Sequence, residues 1–220
     1  MIYFFADNHF EARPGYHLYE KLKGDFNIKF FEDDISPLSI PGFLKNCDLF
    51  MINLICGTGK IQETGPEDGA EIKKYCMAGK PLFLIHAGSA AFSNWDWWRK
   101  LTGLRWVREK DLEGLPPSVH PVKDFTVTRV ASSHPLAVKL KGFGLKNDEI
   151  YTKLAQTAPA DVLLETKIEE GTFPMAFISR NDWGGNVAGF LPGHKADAFE
   201  NRSLVDNIGA IIEFLLNGPE

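Results

Sequence analysis

The feature that most constrains this chain is a change of period midway along it. In the first half, short apolar runs alternate with stretches of helical spacing; from about residue 104 to 190, short runs of strand character follow one another instead. The runs "IYFFA" (2–6), "FNIKFF" (26–31), "DLFMINL" (48–54) and "PLFLIH" (81–86) are nearly continuous in apolar residues, as strands buried on both faces must be. Helical segments between them call for parallel order, with crossovers covering the sheet. Later, "VKDFTVTRV" (122–130) alternates apolar and polar like a half-solvated strand, and "DVLLET", "MAFIS" and "NVAGFL" are further short strands. The Gly-Gly pair in "SRNDWGGN" (179–186) signals a hairpin between the last two. With 220 residues, 44% of them hydrophobic, the chain can bury one core, so one α/β domain over residues 1–220 is expected.

Three helices can be drawn among and after these strands. Thr64 and Glu67 have capping-box spacing, with Pro66 in the first turn, and Ile72, Tyr75, Cys76 and Gly79 then share a face. Ser89 is the expected N-cap of a helix ending at Gly103. Near the carboxyl end, Leu204, Ile208, Ile211, Ile212 and Leu215 mark one helix face, and Gly218-Pro219 is the stop signal.

Charge and composition exclude several functions. A net charge of -5 with no Lys/Arg-rich run leaves no face to neutralise phosphates, so no nucleic-acid partner is expected. No apolar stretch approaches the roughly 20 residues of a membrane helix, and Ile2 to Ala6 is too short for a signal-peptide core. Cys47, Cys56 and Cys76 are odd in number and form no C-x-x-C pair, which suits a reducing compartment. A soluble, cytoplasmic protein is the expectation.

In doubly wound sheets, ligands bind where loops leave the carboxyl ends of strands. Such loops here carry Asp7, Asn8 and His9; Cys56, Gly57, Thr58 and Gly59; His86, Gly88 and Ser89; and Gly193 and His194. "CGTG" (56–59) lacks the Lys-Ser/Thr ending of a phosphate loop and reads as a tight turn. His9 and His17 are expected to be exposed or locally hydrogen-bonded, and His120 is assigned no role. His86 stands where an apolar strand stops abruptly, either as a site residue or as the cap of a neighbouring loop. Together with His134, Glu149 and His194 it makes a set of imidazoles and one carboxylate, the donors zinc prefers and the usual general acids and bases.

Three segments in order, "PLFLIHAGSAAFSNWDWWRKLTG", "SSHPLAVKLKGFGLKNDEIYTKL" and "PMAFISRNDWGGNVAGFLPGHKADAF", resemble the ThuA-like (trehalose utilisation) proteins of the class I glutamine amidotransferase-like superfamily. The resemblance implies a flavodoxin-like three-layer α/β fold with a mostly parallel central sheet and β-hairpin additions in the second half. It also implies a part in sugar utilisation, with a carbohydrate-like ligand held above the sheet. Carried over by matching positions, His86, His134 and Glu149 are the expected catalytic groups, and Ser89, His194 and Gly88 the ligand-binding ones. His86, His134 and His194 would hold a divalent metal such as zinc, if the cluster binds a metal rather than hydrogen-bonding sugar hydroxyls. Amidotransferases carry G-x-C-x-G at the elbow; "LIHAG" (84–88) matches that frame through Gly88 with His86 in the cysteine's place, and His194 is followed by Lys195-Ala196 rather than x-Glu. Glutamine hydrolysis is therefore not expected. Trp95, Trp97 and Trp98 offer an aromatic wall for a sugar, although three residues so placed on a helix cannot all face one pocket. A non-catalytic interaction subunit, with exposed tryptophans marking a contact and a homo-oligomer as one form of it, is the alternative.

Overall fold

The four apolar runs form parallel strands: β1 (Ile2–Ala6), β2 (Ile28–Glu32), β3 (Leu49–Asn53) and β4 (Leu82–Ile85). Helices α1 (Pro14–Leu22), α2 (Ala70–Met77) and α3 (Asp96–Leu101) lie among them and just after β4. The structure, a computed structural model, describes residues 1–57, 61, 64–65 and 69–218. Thr58, Gly59, Pro66, Glu67 and Pro219, on which the turn, capping-box and stop readings rest, lie outside the described residues.

Beyond α3 come β5 (Leu104–Arg105), β6 (Val122–Arg129), β7 (Phe143–Glu149), β8 (Ala155–Gln156), β9 (Ala160–Ile168), β10 (Gly171–Arg180) and β11 (Asn186–Phe190), then α4 (Arg202–Asn217). β5 and β8 pair with each other; the rest form one nine-stranded sheet in the order β2-β1-β3-β4-β11-β10-β9-β6-β7. The first five in that order are parallel, and β10, β9, β6 and β7 extend the sheet in antiparallel fashion. β10 and β11 are the hairpin foreseen at the Gly-Gly pair.

Period-two alternation sorts the core into two layers of side chains. Ile2, Phe4 and Ala6 of β1 pack with Leu18 and Leu22 of α1 and Ile208 and Ile212 of α4. Tyr3 and Phe5 point the other way, into a cluster with Ile72 and Cys76 of α2 and Trp98 of α3. Helices thus cover both faces of the parallel strands. In α4, Leu204, Ile208, Ile211, Ile212 and Leu215 are all buried, and the Asn201 side chain caps the helix by accepting the Leu204 N–H at 3.2 Å.

Two features depart from the sequence reading or add to it. The helix after β4 does not begin at Ser89: a 3-10 turn covers His86–Ala90, and α3 starts only at Asp96. Phe92, at φ 48°, breaks the helical path and stacks on Trp95 with ring centroids 4.2 Å apart. The antiparallel half also curls back over the sheet. Although β7 is the outermost strand, its Phe143 ring lies 6.2 Å from that of Phe190 in β11, inside the same core cluster as α1 and α4. The end of β7 meets the loop that follows β11, where Asp148 accepts the N–H groups of Gly193 and His194. Among the described residues, no helix is long and apolar enough to cross a membrane.

Candidate metal and ligand site

The site forms where β1, β4, β7 and β11 end. At the close of β4 the chain turns so sharply that His86 sits at φ 41°, in the left-handed region that non-glycine residues seldom occupy. Gly88 permits the turn: a Cβ there would meet the Ile52 carbonyl oxygen of β3 at 2.4 Å. The His86 side chain, 1% exposed, is fixed at both ends. Its Nδ1 lies 2.7 Å from the Leu191 carbonyl oxygen, which can only accept, so Nδ1 bears the proton and donates it. In the neutral ring, Nε2 therefore keeps a lone pair, directed into the site.

Three atoms converge there in a nearly equilateral triangle. His86 Nε2 is 3.2 Å from His194 Nδ1, and each of these nitrogens is 3.4 Å from Glu149 Oε2. The fit to a metal follows by arithmetic: zinc with bonds of about 2.0–2.2 Å in tetrahedral geometry places its ligand atoms about 3.3 Å apart. His86, Glu149 and His194 are also a group whose ligand atoms can all reach one ion, with the Leu191 carbonyl as the outer partner that orients a liganding imidazole.

Electrostatics act on the residues around His86. Burial, and then the charge of a protonated His86, push His194 down to about 4. His9 is lowered for the same two reasons. Burial alone would raise Glu149, but its contact with His86, and the positive charge that His86, His194 and His120 carry when protonated, outweigh it and hold the carboxyl below its usual range. Glu149 as a carboxylate and His194 as a neutral imidazole are the forms a cation binds.

Asp148 holds the ends of the loops that carry Glu149 and His194 together. Its carboxylate accepts the N–H of Glu149 at 2.9 Å, of Gly193 at 2.9 Å and of His194 at 3.0 Å. Asp148 thereby sets where Glu149 stands relative to His194.

Of the four residues the sequence reading grouped, the structure brings His86, Glu149 and His194 together, so that Glu149 stands where the metal set of His86, His134 and His194 had His134. His134 does not join them: it caps the 3-10 turn at Pro135–Val138, with Nδ1 accepting the Leu136 N–H at 3.2 Å and its ring 5.1 Å from Phe214 of α4. Ser89 is buried and donates to the His86 carbonyl at 3.1 Å, and Gly88 is pressed against β3, so both shape the elbow and neither lines the cleft. Trp95 and Trp98 are core residues, and Trp97, half-buried, stacks on Trp95.

Two histidines missed from sequence stand in the site instead. His9 Nε2 lies 3.2 Å from His194 Nδ1, and His120 Nδ1 lies 3.1 Å from Glu149 Oε1. Both line a cleft of about 920 Å3 above the cluster, whose walls include Phe10, Ile55, Trp106 and Tyr151. The aromatic wall is Trp106, packed against Tyr151 at 4.5 Å and His120 at 5.4 Å. The loop that brings His9 in has a readable signal only in hindsight: His9, Phe10 and Glu11 all have positive φ, at 45°, 55° and 71°. That run turns the chain back over the sheet.

Beneath this loop, Asp7 accepts the Ile55 N–H at 2.8 Å. Burial pushes its carboxyl up to about 6, despite that hydrogen bond, with Asp33 adding repulsion. A carboxyl raised above its unfolded value stabilises the fold below about pH 4, and that contribution is lost as pH rises through 6. The loss is on the order of 2–3 kcal/mol. Asp7→Asn keeps the acceptor and removes the charge, so its stability relative to wild type should rise by that amount between pH 4 and pH 7. Urea midpoints of both proteins at the two pH values measure it; an unchanged difference would show that the buried charge carries no such cost.

The model of the ThuA family, described as trehalose utilisation, matches residues 9–214 of this sequence. The chain belongs to the ThuA family. Among solved structures, this ThuA chain is similar to a putative ThuA-like protein from Parabacteroides merdae, at 16% identity and a TM-score of 0.74, over 99% of this chain and 90% of that one. A putative ThuA-like protein from Bacteroides uniformis is similar at 15% identity and a TM-score of 0.71, over 100% and 93% of the two chains. A glutamine amidotransferase from Thermotoga maritima shares the fold at 10% identity and a TM-score of 0.53, over 99% of each chain. No curated protein matches in sequence. Within that shared fold, the ThuA chain has His86 at the elbow, and its cysteines are buried elsewhere; burial pushes Cys76 up to about 12 and Cys47 up to about 11.

Proposed function

We propose that this ThuA protein binds a carbohydrate-like ligand in the cleft above the sheet, with a divalent metal such as zinc held by His86, Glu149 and His194. The observation that carries the reading is the 3.2, 3.4 and 3.4 Å triangle of donor atoms with the His86 tautomer fixed behind it. Two imidazoles and one carboxylate leave one position of a tetrahedral ion for a water or ligand oxygen, the arrangement of catalytic rather than structural zinc. When bound, the metal supplies Lewis acidity or an activated water.

The chain's own residues supply the rest. The Leu191 carbonyl fixes the His86 ring, and Asp148 fixes Glu149 against His194. His120, half-exposed beside Glu149, is placed to move protons between the cluster and water. Trp106 offers an apolar face to a sugar ring, while Lys195 and Asp197 at the rim suit hydroxyls. The family's description as trehalose utilisation supports a sugar ligand, and three free thiols support a reducing, cytoplasmic setting.

Elemental analysis of untagged protein tests the metal directly. Wild type should retain close to one zinc or similar ion per chain, and His86→Ala and His194→Ala should lose it while remaining folded. A wild type without metal after reconstitution and dialysis, or variants that keep it, would overturn the metal reading. Thermal shift with sugars then tests the ligand.

A further inference from the structure

The lone pair on His86 Nε2 has two claimants. Because Nδ1 donates to Leu191, Nε2 of the neutral ring offers a single acceptor site, and the Tyr151 hydroxyl lies 3.0 Å from it. A phenol is the donor in that pair. Tyr151 is 7% exposed, its ring packed on His86 at 4.5 Å and on Trp106 at 4.5 Å, so the hydroxyl is aimed rather than free to wander. Any cation bound to His86 Nε2 takes the electrons that now accept from Tyr151.

Once displaced, the phenolic proton needs another acceptor. Glu149 has little capacity left: Oε1 faces His120 and Oε2 is the atom shared with His86 and His194. Tyr151 also lines the cleft above the three donors. We propose that Tyr151 is a two-state donor: it caps His86 Nε2 in the metal-free protein and turns to a ligand oxygen when the site is loaded. Resting on the metal reading above, this assigns Tyr151 to the ligand's reactive oxygen, whether carbonyl or alkoxide. A donor aimed there stabilises negative charge developing on that oxygen.

The test uses zinc and acetohydroxamate, an oxygen ligand for metals, as probes on wild type, Tyr151→Phe and His86→Ala. Loss of the competing hydrogen bond should leave Tyr151→Phe binding zinc about two- to tenfold more tightly than wild type in a chelator competition. Its zinc-loaded form should bind the hydroxamate about tenfold more weakly, for want of the donor. Weaker zinc binding in Tyr151→Phe would overturn the proposal, leaving Tyr151 a packing residue, as would unchanged hydroxamate affinity. Failure of the underlying reading looks different: wild type and His86→Ala would then bind zinc alike, or not at all. Long-range proton–nitrogen spectra of metal-free wild type give an independent check that needs no variant. His86 should be protonated on Nδ1 and accept a hydrogen bond at Nε2; the opposite tautomer would overturn the proposal.

Discussion

Replacing Asp148 with alanine should cost about 4 kcal/mol of stability or more. The residue is 2% exposed, and its removal leaves three N–H groups, those of Glu149, Gly193 and His194, without their acceptor. Hydrogen bonds to a charged group contribute roughly 1.5–3 kcal/mol each, and orphaned buried donors roughly 1–3, though such terms do not add in full. Part of the loss is offset, because burial already holds this carboxyl above its usual range against the pull of His86 and the three amides. Asp148→Asn should therefore be milder, at about half the cost. Its single oxygen can still serve Glu149 and His194, but its amide nitrogen then confronts the Gly193 N–H, donor against donor. The asparagine protein should fold yet hold metal more weakly, since Glu149 and His194 lose their common brace. Urea unfolding and chelator competition measure the two effects; an alanine variant within 1 kcal/mol of wild type would remove Asp148 from this role.

The second large effect is expected at Gly88. A methyl group there would sit 2.4 Å from the Ile52 oxygen and 3.2 Å from its carbonyl carbon. The obstacle is the backbone of β3, buried on both faces, and cannot rotate away as a side chain would. Overpacking a core costs typically 1–3 kcal/mol, and an immovable partner puts Gly88→Ala at about 3. Relief requires the elbow to lift, which would draw His86 off the Leu191 carbonyl and out of the donor triangle. Gly144→Ala in β7 is the control: its new carbon would lie 3.8 Å from the nearest atom, the Phe125 oxygen, and should change stability by less than about 0.5 kcal/mol. Equal melting temperatures for the two variants would contradict this account.

Much of this molecule was readable from its sequence because local chemistry and global position agreed. The four apolar runs became parallel strands, the Gly-Gly pair became a hairpin, and the apolar face of α4 was buried as spaced. His86 was legible because an apolar strand ended on it. His134 looked like a partner of the same kind, but Pro135 had already committed it to capping a 3-10 turn, a purely local task. His9 and His120 were passed over for the converse reason. Nothing near them marks a site, and their partners His194 and Glu149 lie far along the chain, 185 residues away in the case of His9. The tryptophans misled through composition: three close together suggested a wall, while Phe92 and the turn after β4 drew two of them into the core, and Trp106 took the cleft.

The curl of the antiparallel half also has a kinetic meaning. His86 and His194 meet across 108 residues and His9 and His194 across 185, so the site is built from contacts of high order, which form late because long loops must close first. A chain that has completed only β1 to β4 holds His9 and His86 with nothing to complete them. Glu149 arrives only when the outermost strand, β7, docks against β11, and an edge strand is the part of a sheet that opens most readily once formed. The donor triangle thus depends on an edge strand staying docked, and a cation held by His86, Glu149 and His194 would act as the rivet that ties the ends of β4 and β7 to the loop after β11 and keeps the sheet curled.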